Sequence, residues 1–310
     1  MKILVTGGSG MVGSALKKYI NNDKNNDKNN DKNNDWIFLS SKDGDLTDIN
    51  SCLNIFDQHK PEYIIHLAAN VGGLYKNLNN NIKMLSDNLK INENVLFACD
   101  KYNVNNGIFC LTSCMYPFES NIYPMTEQMI HNGPPHPSNE GYGYSKRLLE
   151  VQCRNYNTIG KKYICVSPVN LYGTNDNFSL ETGHVISSLI NKFYTAKQNN
   201  TNVQIYGDGS ALRQFVFVDD FAKIIIDLIN KENIYLVNIA HDEVIIKQLV
   251  ILLEDIFNYH EVVYDIDKSN GCLKKTVSNN YFYSIFPDFK FTSLTDGLKQ
   301  TIDWYIKNKL

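Results

Sequence analysis

Between Thr112 and Lys146 the chain gathers side chains suited to moving protons. Thr112 brings a hydroxyl, Cys114 a thiol, and Tyr142 and Lys146 form a Tyr-x-x-x-Lys pair. Residues four apart share a helix face, so the Lys146 ammonium is expected beside the Tyr142 phenol. A fixed cation favours a phenolate and lowers a pKa that starts near ~10. Tyr142 then becomes a proton donor or acceptor near neutral pH. Alone, such a pair is a weak signal, because most chance matches are solvated helix surface. It acquires meaning behind a dinucleotide-binding fold.

The start of the chain has the pattern of that fold. Lys2-Ile-Leu-Val-Thr6 reads as a buried strand. It feeds Gly7-Gly-Ser-Gly10-Met-Val-Gly13, and residues 14–20 look helical. Strand, glycine turn and helix form the context a dinucleotide fingerprint requires. Gly7 permits the tight turn, Gly10 lets backbone approach a pyrophosphate, and Gly13 lets helix and strand pack closely. Gly8, Ser9, Met11 and Val12 share the turn and count as cofactor-binding. The helix amino end offers N–H groups to phosphate. Residues 21–35 then repeat Asn-Asn-Asp-Lys with no apolar side chain, and are expected to be a disordered surface insertion.

The end of the second strand, residues 36–39, bears on which cofactor binds. A carboxylate there grips the ribose hydroxyls of NAD. Here Ser40-Ser-Lys42 precedes the first carboxylate, Asp43, and Lys42 can pair with a 2′-phosphate, so NADP (as NADPH) is expected. Asp45 and Leu46 follow, ahead of the next helix. A strand from Tyr63 ends in Leu67, Ala68 and Ala69, small enough for a cofactor to pass. Another, residues 108–111, delivers Thr112 at its carboxyl end, where ligands of open α/β sheets bind. This alternation predicts an α/β fold with a doubly wound parallel sheet, a Rossmann domain over 1–168. Residues 169–310 are expected to be mainly a smaller α/β substrate domain, interleaved with the last sheet elements.

Composition narrows the classes. The 310 residues are 43% hydrophobic, enough for a substantial core. A net charge of −3 argues against bulk attraction to nucleic acid. Seven cysteines form no Cys-x-x-Cys pair, which points to reduced thiols, no metal site and a cytoplasmic location. No apolar run approaches the roughly 18 residues of a membrane span. The chain opens directly on a strand, so no leader is expected.

The Gly-x-x-Gly-x-x-Gly and Tyr-x-x-x-Lys motifs resemble the extended short-chain dehydrogenases/reductases. Longer strings narrow the resemblance: Ala69-Asn-Val-Gly-Gly-Leu74, Thr112-Ser-Cys-Met-Tyr-Pro117, His131-Asn-Gly-Pro-Pro-His136, Asn177 with Gly183-His-Val-Ile186, and Pro287-Asp-Phe289. Together they resemble the GDP-L-fucose synthase family almost end to end, interrupted by the Asn/Asp/Lys repeat. That family epimerises GDP-4-keto-6-deoxy-D-mannose at C3 and C5 and reduces its C4 ketone with NADPH.

The resemblance implies that Cys114 is the base and His184 the acid of epimerisation. It implies that Tyr142 protonates O4, that Lys146 lowers the Tyr142 pKa and holds the nicotinamide ribose, and that Thr112 bonds the ketone oxygen. Pro168, Asn170, Leu171 and His184 are implied beside the cofactor. Lys192, Tyr206, Arg213 and Lys275 are implied around GDP, the GDP-sugar being the expected partner. A homodimer through the helices near 88–102 and after Tyr142 is implied as well. Departures are mild: threonine for the usual serine at 112, lysine for arginine at 192, and tyrosine where bacterial members tend to have tryptophan at 206. Two other readings stay open: another sugar-nucleotide epimerase or dehydratase with tightly held cofactor, or a non-catalytic dinucleotide-binding protein. The first does not need the Cys114 and His184 pair, and the second typically lacks Tyr or Lys.

Overall fold

A computed structural model describes residues 1–24, 34–268, 270 and 272–309. The first half alternates strand and helix: β1 (Lys2–Thr6), α1 (Met11–Lys24), β2 (Asp35–Phe38), α2 (Ile49–His59), β3 (Tyr63–His66), α3 (Leu74–Lys101), β4 (Asn106–Cys110), α4 (Glu140–Thr158) and β5 (Lys162–Pro168). The second half is less regular. It runs β6 (Asn170–Tyr172), α5 (Val185–Asn199), β7 (Val203–Tyr206), β8 (Leu212–Phe217), α6 (Val218–Leu228), β9 (Leu236–Ile239), β10 (Glu243–Ile245), α7 (Ile246–Phe257), β11 (Val262–Asp265), α8 (Asn280–Ile285) and α9 (Leu294–Lys309).

Six strands form one parallel sheet in the order β2-β1-β3-β4-β5-β9. Ile3, Leu4, Val5, Ile64, Ile65 and Ile108 are fully buried, as a sheet covered on both faces requires. The strand order reverses beside β1, which opens a crevice at the carboxyl ends of β1 and β3. Two smaller sheets, β10-β8-β6 and β11-β7, build the rest. A second apolar cluster joins α5, α7 and α9 through Phe193, Leu249 and Leu298. The chain crosses back: β9 pairs with β5, and α6 joins the first core, its Asp219 bonded to Lys18 of α1 at 2.5 Å.

Several boundaries differ from the sequence reading for local reasons. α1 runs on to Lys24, into the repeat, because Asn, Asp and Lys are poor but permitted helix residues. Residues 25–33 of the expected disordered insertion lie outside the described residues. β3 stops at His66 rather than running on to Ala69, because the Thr6 hydroxyl takes the Leu67 and Ala68 N–H groups at 3.2 Å. The chain there turns off the ladder and into the crevice.

Candidate active site

The glycine turn after β1 is shaped as a cradle. Gly7 has φ +68, and a Cβ there would meet the Ala68 backbone nitrogen at 2.8 Å. A Cβ on Gly13 would meet Gly8 at 2.5 Å, whereas one on Gly10 would approach only the Gly7 carbonyl, at 3.3 Å. Gly10 therefore presents open backbone at the start of α1, beside Ser9, Met11 and Val12, where a pyrophosphate fits. Leu67 and Ala68 lie against Gly7 at its edge, and half-buried Ala69 follows them.

At the adenosine end, the Asp43 carboxylate accepts from the Ser40 N–H at 2.6 Å and the Ser40 hydroxyl at 2.8 Å. These bonds hold Asp43 below the usual carboxylate range and commit it to its own turn. Lys42 stays exposed beside it. Asp45 is likewise engaged by Thr47, and Asn94 of α3 fixes the Leu46 carbonyl at 2.9 Å. Pro168 ends β5; Asn170 donates to the Gln214 carbonyl at 2.9 Å, and Leu171 packs on the first core. These residues fit a dinucleotide with a 2′-phosphate better than one with free ribose hydroxyls.

Beyond β4, Thr112 caps a short turn, Ser113–Met115, its hydroxyl accepting the Cys114 N–H at 3.1 Å. The same hydroxyl favours the ionised forms of the Cys114 thiol and the Tyr142 phenol. α4 can come this close because residue 143 is glycine: a Cβ there would meet the Cys114 carbonyl and Pro135 at 2.8 Å. Arg147 ties the same face down, donating to the Met115 and Gly133 carbonyls at 2.6 Å each.

Tyr142 and Lys146 share a face of α4, as expected, but with different electrostatics. The Lys146 ammonium donates to the Cys110 carbonyl at 2.7 Å and lies 6.0 Å from the Tyr142 ring centre. Burial, with the neighbouring Cys110 and Cys114, pushes the phenol well above its ordinary range, and the Thr112 hydroxyl only partly offsets this. The expected lowering by Lys146 is thus corrected: desolvation wins and the phenol is held protonated. Lys146 is itself lowered by burial.

Cys114 goes the other way. Burial is the largest single influence and pushes its thiol up. The Lys275 charge and hydrogen bond, the Thr112 hydroxyl and the Arg213 charge together outweigh it and bring the thiol below its ordinary value. Two of the four expected nucleotide contacts, Arg213 and Lys275, therefore bear on the charge of the thiol. Lys192 and Tyr206 form a separate pair, the ammonium 3.8 Å from the ring centre and donating to the Gln204 carbonyl at 2.8 Å.

His184 caps α5, its carbonyl taking the Ser188 N–H at 2.9 Å. Its loop is pinned to the amino end of α3 by the Gly73 N–H on the Thr182 carbonyl at 2.9 Å. Further along α3, Asn81 takes the Gly141 N–H at 2.8 Å, so one helix positions both His184 and the start of α4.

Two residues without an assigned role in the sequence also face this site. Burial, Lys275 and Arg213 all depress His136, which therefore shares the cationic corner with the thiol. The Ser138 N–H donates to its Nδ1 at 3.1 Å, which leaves the ring proton on Nε2. Asp176 sits by His184, its carboxyl raised by burial and partly restored by His184. The string around His136 was the available signal; nothing local marked Asp176.

Residues 3–240 match the NAD dependent epimerase/dehydratase family. The chain is similar to the GDP-L-fucose synthase of Dictyostelium discoideum, at 41% identity across 99% of this chain and 95% of that one. It is similar to a probable GDP-L-fucose synthase of Drosophila melanogaster, at 39% identity across 99% of this chain and 98% of the relative. Among solved structures, a GDP-L-fucose synthetase from Naegleria fowleri bound to NADP aligns with a TM-score of 0.90 and 37% identity, covering 99% and 93% of the two chains. The chain belongs to the NAD dependent epimerase/dehydratase family and, within it, to the GDP-L-fucose synthase family.

Proposed function

We propose that this protein converts GDP-4-keto-6-deoxy-D-mannose to GDP-L-fucose, epimerising C3 and C5 and then reducing the C4 ketone with NADPH. The observation that carries the reading is the packing of Gly143 on the Cys114 carbonyl, which brings α4 with Tyr142 onto the turn that holds a lowered thiol. A plain reductase needs the phenol but has no use for a second, basic group. The relatives' names and the NADP in the related structure support the same reading.

The chemistry follows from the site. Protons on C3 and C5 are acidified by the adjoining C4 ketone. Cys114 removes them, and the Thr112 and Tyr142 hydroxyls stabilise the enolate oxygen that forms. His184 returns protons to the opposite face, inverting each centre. The glycine cradle and Lys42 would hold NADPH, which when bound would supply the hydride. Tyr142 then gives its proton to O4, and Lys146 holds the nicotinamide ribose. Arg213, Lys192 and Tyr206 receive the GDP moiety; guanidinium and ammonium suit a diphosphate.

We take residues 1–168 as the cofactor domain and 169–310 as mainly the substrate domain. Among the described residues no helix is long and apolar enough to cross a membrane, and we place the protein in the cytoplasm. A homodimer is also part of this reading. α3 and α4 pack side by side and leave Phe97, Tyr144 and Leu148 exposed at 50%, 36% and 46%. Light scattering at micromolar concentration is expected to give the mass of two chains; the mass of one would defeat the dimer.

The function is tested by mixing the protein with NADPH and GDP-4-keto-6-deoxymannose and identifying the sugar formed. NADPH loss with GDP-L-fucose as product is the expected result. Loss giving only the unepimerised GDP-6-deoxy sugar would reduce the protein to a ketone reductase and remove the roles of Cys114 and His184.

A further inference from the structure

The amino end of α4 is capped by a residue of another helix. The first N–H groups of a helix have no partner within it. Asn139, the residue just before α4, makes no side-chain bond to them. Instead the Gly141 N–H donates to the Asn81 Oδ1 of α3 at 2.8 Å, and the Asn81 amide donates to the Pro137 carbonyl at 3.1 Å. α3 is bent beside this bond, Asn80 leaving helical geometry at φ −136 and ψ 26. Only glycine permits the approach, because a Cβ on residue 141 would collide with the Asn81 carbonyl oxygen. Tyr142 is the next residue. The following turn of α4 is anchored separately, Lys146 on the Cys110 carbonyl and Arg147 on the Met115 and Gly133 carbonyls.

We infer that Asn81 is a positioning residue for ketone reduction, its cap on α4 setting the place from which the Tyr142 phenol gives its proton to O4. The inference rests on the proposed function. In the step it serves, C4 receives hydride while the carbonyl π pair moves onto oxygen. O4 takes the phenol proton as the O–H bond of Tyr142 breaks, so the ketone is reduced and the cofactor oxidised. Without the cap, the first turn of α4 loses a partner for one of its free N–H groups, and the phenol is carried on a loosened turn. A misplacement of about 1 Å at a reacting group costs up to about 10²-fold in rate. Cys114 stands on the turn after β4, tied to α4 through Arg147, and its proton transfers do not depend on Asn81. Asn81 is half-buried, so truncating it removes the cap without opening the core.

Two rates on the full-length protein test this. One is single-turnover NADPH oxidation with GDP-4-keto-6-deoxymannose. The other is deuterium uptake at C3 and C5 of the same sugar in D2O, with NADP⁺ in place of NADPH so that no reduction follows. Asn81→Ala is expected to slow oxidation by about 10- to 100-fold, while uptake and the Kd for NADPH stay within about threefold. Asn81→Asp keeps an acceptor for the Gly141 N–H and places a negative charge at the amino end of α4, and should restore oxidation. Asn155→Ala is the control: it removes an amide bond to the Val151 carbonyl further along α4 and should change neither rate. Should Asn81→Ala not fold, Asn81→Leu, matched in shape without polar atoms, replaces it with the same expectation. Oxidation and uptake falling in equal proportion would mean lost folded protein rather than a displaced phenol, and overturns the proposal, as does an unmoved oxidation rate. A wild type that neither oxidises NADPH nor takes up deuterium would sink the proposed function itself. An active wild type matched by Asn81→Ala would sink only the role of Asn81.

Discussion

Two thiols four residues apart, Cys110 at the end of β4 and Cys114 in the turn that follows, meet opposite environments. Burial pushes Cys110 up to about 11, and the nearest ammonium, Lys146, is turned to its carbonyl rather than its sulfur. Cys114 is half-buried, and Lys275, Thr112 and Arg213 bring it below its ordinary value. Desolvation alone makes a cysteine an inert hydrophobe; a cation placed at the sulfur makes it a base. The same rule divides the two lysines. Burial keeps the Tyr142 phenol protonated despite Lys146, fit to donate, whereas Lys275 helps to lower the Cys114 thiol.

The sharpest way to break this contrast is to remove each thiol. Cys114→Ser should cut deuterium uptake at C3 and C5 by about 10²–10⁴-fold, the range for a lost general base, while Cys110→Ser stays within about twofold. Equal losses would mean that ionisation does not distinguish them. Tyr142→Phe should lose about 10²-fold or more in NADPH oxidation while exchange at C3 and C5 continues. The pH dependence has a definite sign. Because the base must be deprotonated, exchange falls as pH drops through the lowered Cys114 value. The donor phenol stays protonated, so reduction should show no loss in the same range. In the wild type at pH 7, Cys114 should be alkylated over about 100-fold faster than Cys110, two units of thiolate fraction. The smallest effect is expected for Gly143→Ala, whose methyl would press on the Cys114 carbonyl. Thermal unfolding should show a loss of about 1–3 kcal/mol, the usual cost of overpacking.

The cofactor half was readable in the sequence because its signals are local. Gly7, Gly10 and Gly13 lie within one turn, and Tyr142 and Lys146 within one helical repeat. Thr112 and Cys114 were placed by the strand that precedes them. The influence of Lys275 on Cys114 was not readable. It depends on bridges from the 274–277 segment to Met125 and Leu212, partners remote in sequence. The direction of the Tyr142 shift was missed for a related reason, since spacing reports the nearest charge but not the depth of burial. The return of β9 to the sheet was anticipated only as interleaving; its place beside β5 is set by long-range pairing.

The account stands most directly on the isotopic composition of the product made in D2O. With NADPH and GDP-4-keto-6-deoxymannose, the wild-type protein should yield GDP-L-fucose carrying solvent deuterium at both C3 and C5, and hydrogen from NADPH at C4. A reduced sugar with no solvent deuterium at C3 or C5 would contradict it, leaving Cys114 without a proton to move.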